Sequence, residues 1–343
     1  MEPFRGRYWR CHIPLRKKVT QSLFDLEDDY SNSRPPCFMK NTIKTILKIL
    51  LGIVFVVSAI LKIADMDKFE IYIYSYHFFS LNFSFLVARA AIILELVLGI
   101  GLVSNCFHKL MWWGSMLMLL GYTGLLCYAL VLGRTDNCHC FGDYLQFNPW
   151  QSILKNIVLI ALFLLVYRVK GWRFRYDWIA LAAVALGCAV AVFVISPPDN
   201  YTPSYDEQNN LQRNLFQEAL QNPPLDTLKL DEGKKVVGIF SSGCEFCMMT
   251  AQKLSLMQQF YGFPEEDVLY VFMGTEEGVE QFYTASESTH YPYIIYEDVI
   301  QLLKINNGYF PILLLMQDGE VVHEYGFRNM KEAEIKAFFQ ANE

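Results

Sequence analysis

Five apolar runs, near residues 43–63, 83–103, 110–132, 152–168 and 178–196, constrain this 343-residue chain more than any other feature. A helix needs about 20 apolar residues to cross a hydrocarbon layer, and even the shortest run, the fourth, approaches that length. A polytopic all-α membrane bundle is therefore expected: four spans over residues 43–168 and a fifth, linking span over 178–196. The aromatic-rich stretch between the first two spans, "KFEIYIYSYHFFSLNFSF", is broken by polar residues and reads as an interfacial helix with Tyr and Phe at headgroup depth.

Charge divides the chain. Lys and Arg outnumber Asp and Glu by 20 to 12 over residues 1–196, whereas the balance is 9 to 23 over residues 197–343. Eight basic residues precede the first span, and "YRVKGWRFRYD" between spans four and five carries Arg168, Lys170, Arg173 and Arg175. Positive loops stay on the cytoplasmic side. An inner (plasma) membrane location follows, with residues 1–42 cytoplasmic and the acidic C-terminal part periplasmic or extracellular. Met39 is an alternative start, because the anchor begins directly after it. The first apolar run is too long for a cleavable signal and lacks a small-x-small exit.

Residues 197–232 are bounded by Pro and Asn and read as a linker with one amphipathic helix. From 233 to 343 a soluble α/β domain is expected. Its elements are the strand "KKVVGIF", the helix "CEFCMMTAQKLSLMQQFYG", the strand "DVLYVFMG", the helix "EEGVEQFYTAS", a hairpin "PILLLMQ-DG-EVVHEYGF" and a last helix from Lys331 to Gln340.

The strand running into "SSGCEFC" puts Cys244 at a helix start, where free amide N–H groups and the helix dipole favour a thiolate. Cys247, one turn on, is placed to resolve a mixed disulfide. A zinc half-site has the same spacing, but the domain offers only His290 and His323 as further ligands of the Cys/His type. A purely structural disulfide would close a very small loop and add little stability.

The domain resembles the thioredoxin-like family, particularly its membrane-anchored TlpA and MauD members, through "GCEFC" and "GYFPILLL". The resemblance implies a cis peptide before Pro311 and a Phe310 backbone presented to a partner's cysteine. Ser242 departs from the aromatic residue usual two positions before the first cysteine. Glu245, beside the nucleophile, should disfavour its thiolate.

Residues 43–168 resemble the DoxX/MauE family. The first span ends in Lys62 and is followed by Asp65-x-x-x-Phe69, and "CHCFGD" is followed by a Pro and by Ser152-Ile153-x-Lys155-Asn156. In that family MauE is paired with the thioredoxin-like MauD, and both are linked to disulfide formation in methylamine dehydrogenase. The chain reads as the two partners fused; methylamine use itself is not carried over.

Cys138 and Cys140 flank His139, which in an extended segment points away from both thiols. A disulfide between them would be strained and easily reduced, which suits a redox relay, while two thiolates also suit Cu(I). No metal site is expected. Cys127 and Cys188 lie inside spans and read as packing residues, and Cys11, Cys37 and Cys106 are cytoplasmic. Arg89 and Glu95 are costly charges within the second span, which makes them candidates for binding a quinone, although pairing with each other and Lys155 is the plainer reading. No covalently bound cofactor is expected.

The expected function is a membrane-bound thiol–disulfide oxidoreductase. Cys244–Cys247 would exchange with exoplasmic client proteins and with Cys138–Cys140, and electrons would pass to a quinone. Two alternatives stand: a reductase delivering electrons outward, and a non-catalytic metal-binding or scaffold protein. The other partner expected is the lipid bilayer; no nucleic acid is.

Overall fold

The computed structural model describes residues 37–104, 107–133, 148–167, 177–199, 201 and 210–340. Two compact units divide the chain, Met1–Ile43 and Lys44–Glu343. Only the opening of the first helix falls within the described part of the former. Everything below concerns the latter.

The membrane region is built from α1 (Cys37–Ala64), α2 (Met66–Tyr74), α3 (Leu81–Ser104), α4 (His108–Val131), α5 (Pro149–Val166) and α6 (Asp177–Ile195). All but α2 are long and apolar enough to cross a membrane. The five runs read from hydropathy are thus five helices, and the region is a multi-pass membrane protein. Helix α5 starts three residues earlier than its apolar run, because Asn148, Pro149 and Gln151 supply a start signal: the Asn148 N–H donates to Gln151 Oε1 at 3.1 Å.

Helices in lipid associate through close packing rather than hydrophobic expulsion. Gly52 of α1 and Gly99 of α3 meet backbone to backbone, so that a Cβ on Gly52 would lie 2.8 Å from the Gly99 carbonyl, and one on Gly99 2.9 Å from that of Gly52. Helix α3 is the hub: it packs on α2, α4 and α6, while α4 packs on α5. Only 6% of the apolar window of α6 is buried, so this helix rides on the outside against α3.

Helix α7 (Arg213–Leu220) is the amphipathic helix expected in the linker. The α/β domain follows with β1 (Lys234–Ser241), α8 (Glu245–Tyr261), β2 (Val268–Met273), α9 (Glu276–Ser286), β3 (Tyr293–Ile295), α10 (Val299–Ile305), β4 (Ile312–Gln317), β5 (Glu320–Tyr325) and α11 (Glu332–Gln340). Its sheet runs β3-β2-β1-β4-β5, with β1 parallel to β2 and antiparallel to β4. Successive strand residues face opposite sides. Accordingly Val236 and Phe240 pack under α8, α9 and α11, while Val237 and Ile239 pack under α7 and α10. Both faces are covered, which is why the central strands read as continuous apolar runs rather than alternating ones.

The sequence reading omitted β3 and α10. With three and seven residues, they are too short to carry a period.

Helix α2 is where the two regions join. Ile71, Tyr74, Leu81 and Phe85 belong to the same buried cluster as the core under α8. Tyr74, expected at headgroup depth, is instead fully buried: its ring packs on Phe260 and its hydroxyl donates to Glu332 at 2.8 Å. Glu332 also accepts the backbone N–H of Leu81 at 2.6 Å, so a carboxylate of α11 caps the free N-terminus of α3. A charged seam continues the joint: Arg328 reaches both oxygens of Asp67 and Oδ1 of Asp199, and Lys253, fully buried, lies 3.6 Å from Asp199.

Candidate active site

Strand β1 ends at Ser241, Gly243 sits where a side chain would point into open space, and Cys244 takes the N-cap of α8 in extended conformation. Its sulfur accepts the backbone N–H of Cys247 at 3.3 Å. The chain therefore turns into the helix with one sulfur aimed at unpaired amides and the second a turn deeper. Both are free thiols here, Cys244 half-buried and Cys247 wholly buried.

That difference in burial separates the two thiols chemically. The hydrogen bond from the Cys247 thiol, together with backbone N–H groups of residues 246 and 247, holds Cys244 down at about 7 from an ordinary value of 9.0, against partial burial and the Glu245 charge. Burial pushes Cys247 far above the usual thiol range. One thiol is half ionised at neutral pH; the other holds its proton.

The Glu245 carboxylate does not act alone on this site. Lys68 of α2 pairs with it at 2.6 Å, bringing a cation from the membrane region beside the nucleophile. Glu245 is 65% exposed, so solvent screens the pair and its effect on Cys244 is modest. Lys68 was invisible to sequence reasoning, since nothing in the chain marks a contact between positions so far apart.

Ser242 has a steric reason. Its backbone N–H donates to the Met273 carbonyl at 3.0 Å, and its hydroxyl lies where a Cβ on Gly274 would come within 2.1 Å. A small residue fits this crowded turn between β1 and the start of α9.

The Phe310–Pro311 peptide is cis. Ile239 pairs with Ile312 across β1 and β4, so the antiparallel register sets Pro311 opposite Phe240, beside the end of β1 that leads to Cys244. Phe310 packs against the same buried cluster as Cys244.

Cys138 and Cys140 lie outside the described residues. The end of α4, from which their segment departs, is at the joint: the Tyr128 ring lies 5.5 Å from Phe78 and 6.2 Å from Tyr76. Cys127 and Cys188 are free thiols within α4 and α6.

Arg89 and Glu95 take different partners. Arg89 pairs with Glu70 and donates to the carbonyls of Phe85 at 2.7 Å, Ser196 at 2.8 Å and Pro197 at 2.9 Å, and to Ser196 Oγ at 3.3 Å. A guanidinium has five N–H donors, and these contacts engage all five. Arg89 thereby ties α2, α3 and the end of α6 together. Glu95 instead accepts from Lys62 Nζ at 2.6 Å, and Lys62 also donates to Ser58 at 3.0 Å. Lys155 and Asn156 border the same small cavity of about 30 Å³ as this pair. Lys62, at the end of the first span, is a lysine inside an apolar run, which is the sequence signal that marks it.

Residues 40–169 match the family described as Methylamine utilisation protein MauE. The domain after them has the mixed sheet, the helix-start cysteine pair and the cis-proline opening β4. The chain joins a MauE-like membrane region to a thioredoxin-like domain. A similar protein is "Protein TlpB" of Flavobacterium psychrophilum, 27% identical in an alignment of 304 residues that covers 73% of this chain and 82% of that protein. Among solved structures, a secreted Mycobacterium tuberculosis disulfide oxidoreductase homologous to E. coli DsbE is similar at 15% identity. The likeness covers 34% of this chain and 85% of that one, with a TM-score of 0.27. In this fusion the MauE-like region supplies α2, and with it Lys68 and Tyr74, to the thioredoxin-like domain.

Proposed function

We propose that the chain is a membrane-bound thiol–disulfide oxidoreductase whose thioredoxin-like domain oxidises exoplasmic client thiols. The observation that carries this reading is the asymmetry of the cysteine pair: a half-buried thiol held at about 7 in front of a buried one pushed far upward. That is the arrangement thiol exchange needs.

In the oxidised pair, a client thiolate attacks Cys244 Sγ, the S–S bond breaks, and Cys247 leaves and takes a proton. A second client thiolate then attacks the client sulfur of the mixed disulfide, and Cys244 departs as the better leaving group because its pKa is the lower. The client gains a disulfide, and two electrons now rest on Cys244 and Cys247. The Cys244 thiolate attacks the Cys138–Cys140 disulfide, Cys247 resolves the link, and the relay pair carries the electrons as two thiols. The Cys138–Cys140 disulfide would then reform by giving up two electrons and two protons to a lipid-soluble quinone.

The basic segments before α1 and between α5 and α6 put those ends in the cytoplasm, and the relay segment and the thioredoxin-like domain on the opposite face. A plasma membrane with an exoplasmic catalytic domain accommodates both cysteine pairs in one compartment.

The test is oxidation of a dithiol peptide by the full chain in membranes. Cys244→Ser should abolish turnover, and Cys138→Ser should stop it after the first equivalent. Turnover that persists in both variants refutes the proposal.

A further inference from the structure

We infer that the head group of a lipid-soluble quinone binds in the cavity between α1, α2, α3 and α4, with the Lys62 ammonium donating to one ring oxygen. The inference rests on the proposed thiol–disulfide function and locates its electron acceptor.

The cavity measures about 160 Å³ and is bordered by Lys62, Phe69, Tyr72, Tyr76, Ala91 and Tyr122 among others. A dry cavity of about 150 Å³ lined by apolar side chains takes up a benzene-sized molecule, so one six-membered ring fits. Its walls are aromatic: Tyr72 and Tyr76 meet edge to face at 5.2 Å, and Tyr76 stacks on Phe78 at 6.0 Å. Electron-rich faces of this kind pack well against an electron-poor ring. Phe78 and Phe79, which also border it, are 57% and 37% exposed, leaving that side of the cavity open for an apolar tail.

The lining contains one charge. Lys62 has three N–H donors; two serve Glu95 and Ser58, and the ammonium also sits 5.1 Å from the Tyr122 ring centre. The third donor is left for the cavity. A ring oxygen there meets a fixed donor in a water-poor site, where it stabilises the negative charge that develops as electrons arrive before protons. Glu95 acts through Lys62, holding it in place. Behind the pair, the smaller cavity bordered by Lys155 and Asn156 is large enough to hold a water molecule.

The redox balance is that of the relay. Two thiols become a disulfide, and their two electrons and two protons convert the quinone into a quinol. Placing the head group here also leaves the five committed donors of Arg89 undisturbed.

The test uses the full chain in lipid nanodiscs with decylubiquinone as probe, corrected with protein-free discs, and an azido-quinone for photolabelling. Saturable binding is expected, with label on peptides containing Tyr76 or Tyr122. Ala91→Phe and Val87→Phe, which fill the cavity from α3, should each weaken binding by about tenfold or more, as loss of a well-packed ring implies. The paired change Lys62→Met with Glu95→Leu removes the donor without stranding a buried charge. It should weaken the quinone but not decylbenzene, which has no ring oxygen. No saturable binding to the parent chain, label confined to other helices, or unchanged affinity in both cavity-filling variants overturns the inference. Dithiol oxidation is scored separately. Turnover without quinone binding rejects this site alone, whereas turnover that survives Cys244→Ser rejects the proposed function itself.

Discussion

The ionisation of Cys244 gives a prediction whose size follows from the geometry. A thiol at about 7 is half thiolate at pH 7, whereas one at the ordinary 9.0 would be only about 1% ionised, a ~50-fold difference in reactive species. Intrinsic nucleophilicity falls with pKa with a slope of about 0.4–0.5, which over this shift takes back a factor of roughly 8. The net expectation is that Cys244 in the reduced chain reacts with iodoacetamide about 6-fold faster at pH 7 than an unperturbed thiol, with a midpoint near pH 7 and a plateau above pH 8. The hydrogen bond from the Cys247 thiol is the largest cause of the lowering. Cys247→Ala removes that donor and should move the midpoint upward, while Cys247→Ser retains an O–H donor and should keep it low. Peptide mass spectrometry reads the alkylation rate of Cys244 alone. A parent midpoint at or above 8.5, or identical midpoints in the Ala and Ser variants, would refute the reasoning.

The same shift couples to stability. The folded pKa lies below the unfolded one, so the contribution is fully present above pH 9 and is lost as pH falls through about 7. The melting temperature of the reduced parent relative to Cys244→Ser should therefore rise between pH 6.5 and 9, and a flat difference would count against it. Glu332→Ala strands the Tyr74 hydroxyl and the Leu81 amide at the joint. At about 1–3 kcal/mol for each buried unsatisfied group, it should speed amide hydrogen exchange in α2 and the first turn of α3, leaving β1 and β2 unchanged. Gly99→Val drives a side chain into the Gly52 carbonyl and should lower the thermal stability of the membrane region while leaving Cys244 alkylation as in the parent.

How much of this was readable in advance depended on how local each signal is. The five spans and the start of α8 announce themselves within a few residues, through hydropathy in one case and a strand-Gly-Cys-x-x-Cys pattern in the other. Strand β3 and helix α10 are too short to do so, and their places are set by packing on β2 and the sheet face. The joint is the extreme case. Glu332 was read only as part of a terminal helix, yet it holds Tyr74, 258 positions earlier. Arg89 and Glu95 stand out in the sequence as charges inside a span, but their partners Glu70 and Lys62 come from elements whose approach is fixed only by the packing of α1, α2 and α3. Lys68 beside Glu245 shows the same limit at the active site: the charge next to the nucleophile was legible, and the cation answering it was not.

The central claim, that Cys244 passes electrons to the relay pair of its own chain, is tested most directly by trapping the intermediate. In Cys247→Ser the exchange cannot be resolved by residue 247. Membranes of cells expressing this variant, quenched in acid and digested without reductant, should yield a peptide in which Cys244 is linked to Cys138 or Cys140. Cys244 recovered as a free thiol or joined only to other proteins, with Cys138 and Cys140 reduced throughout, would contradict the account.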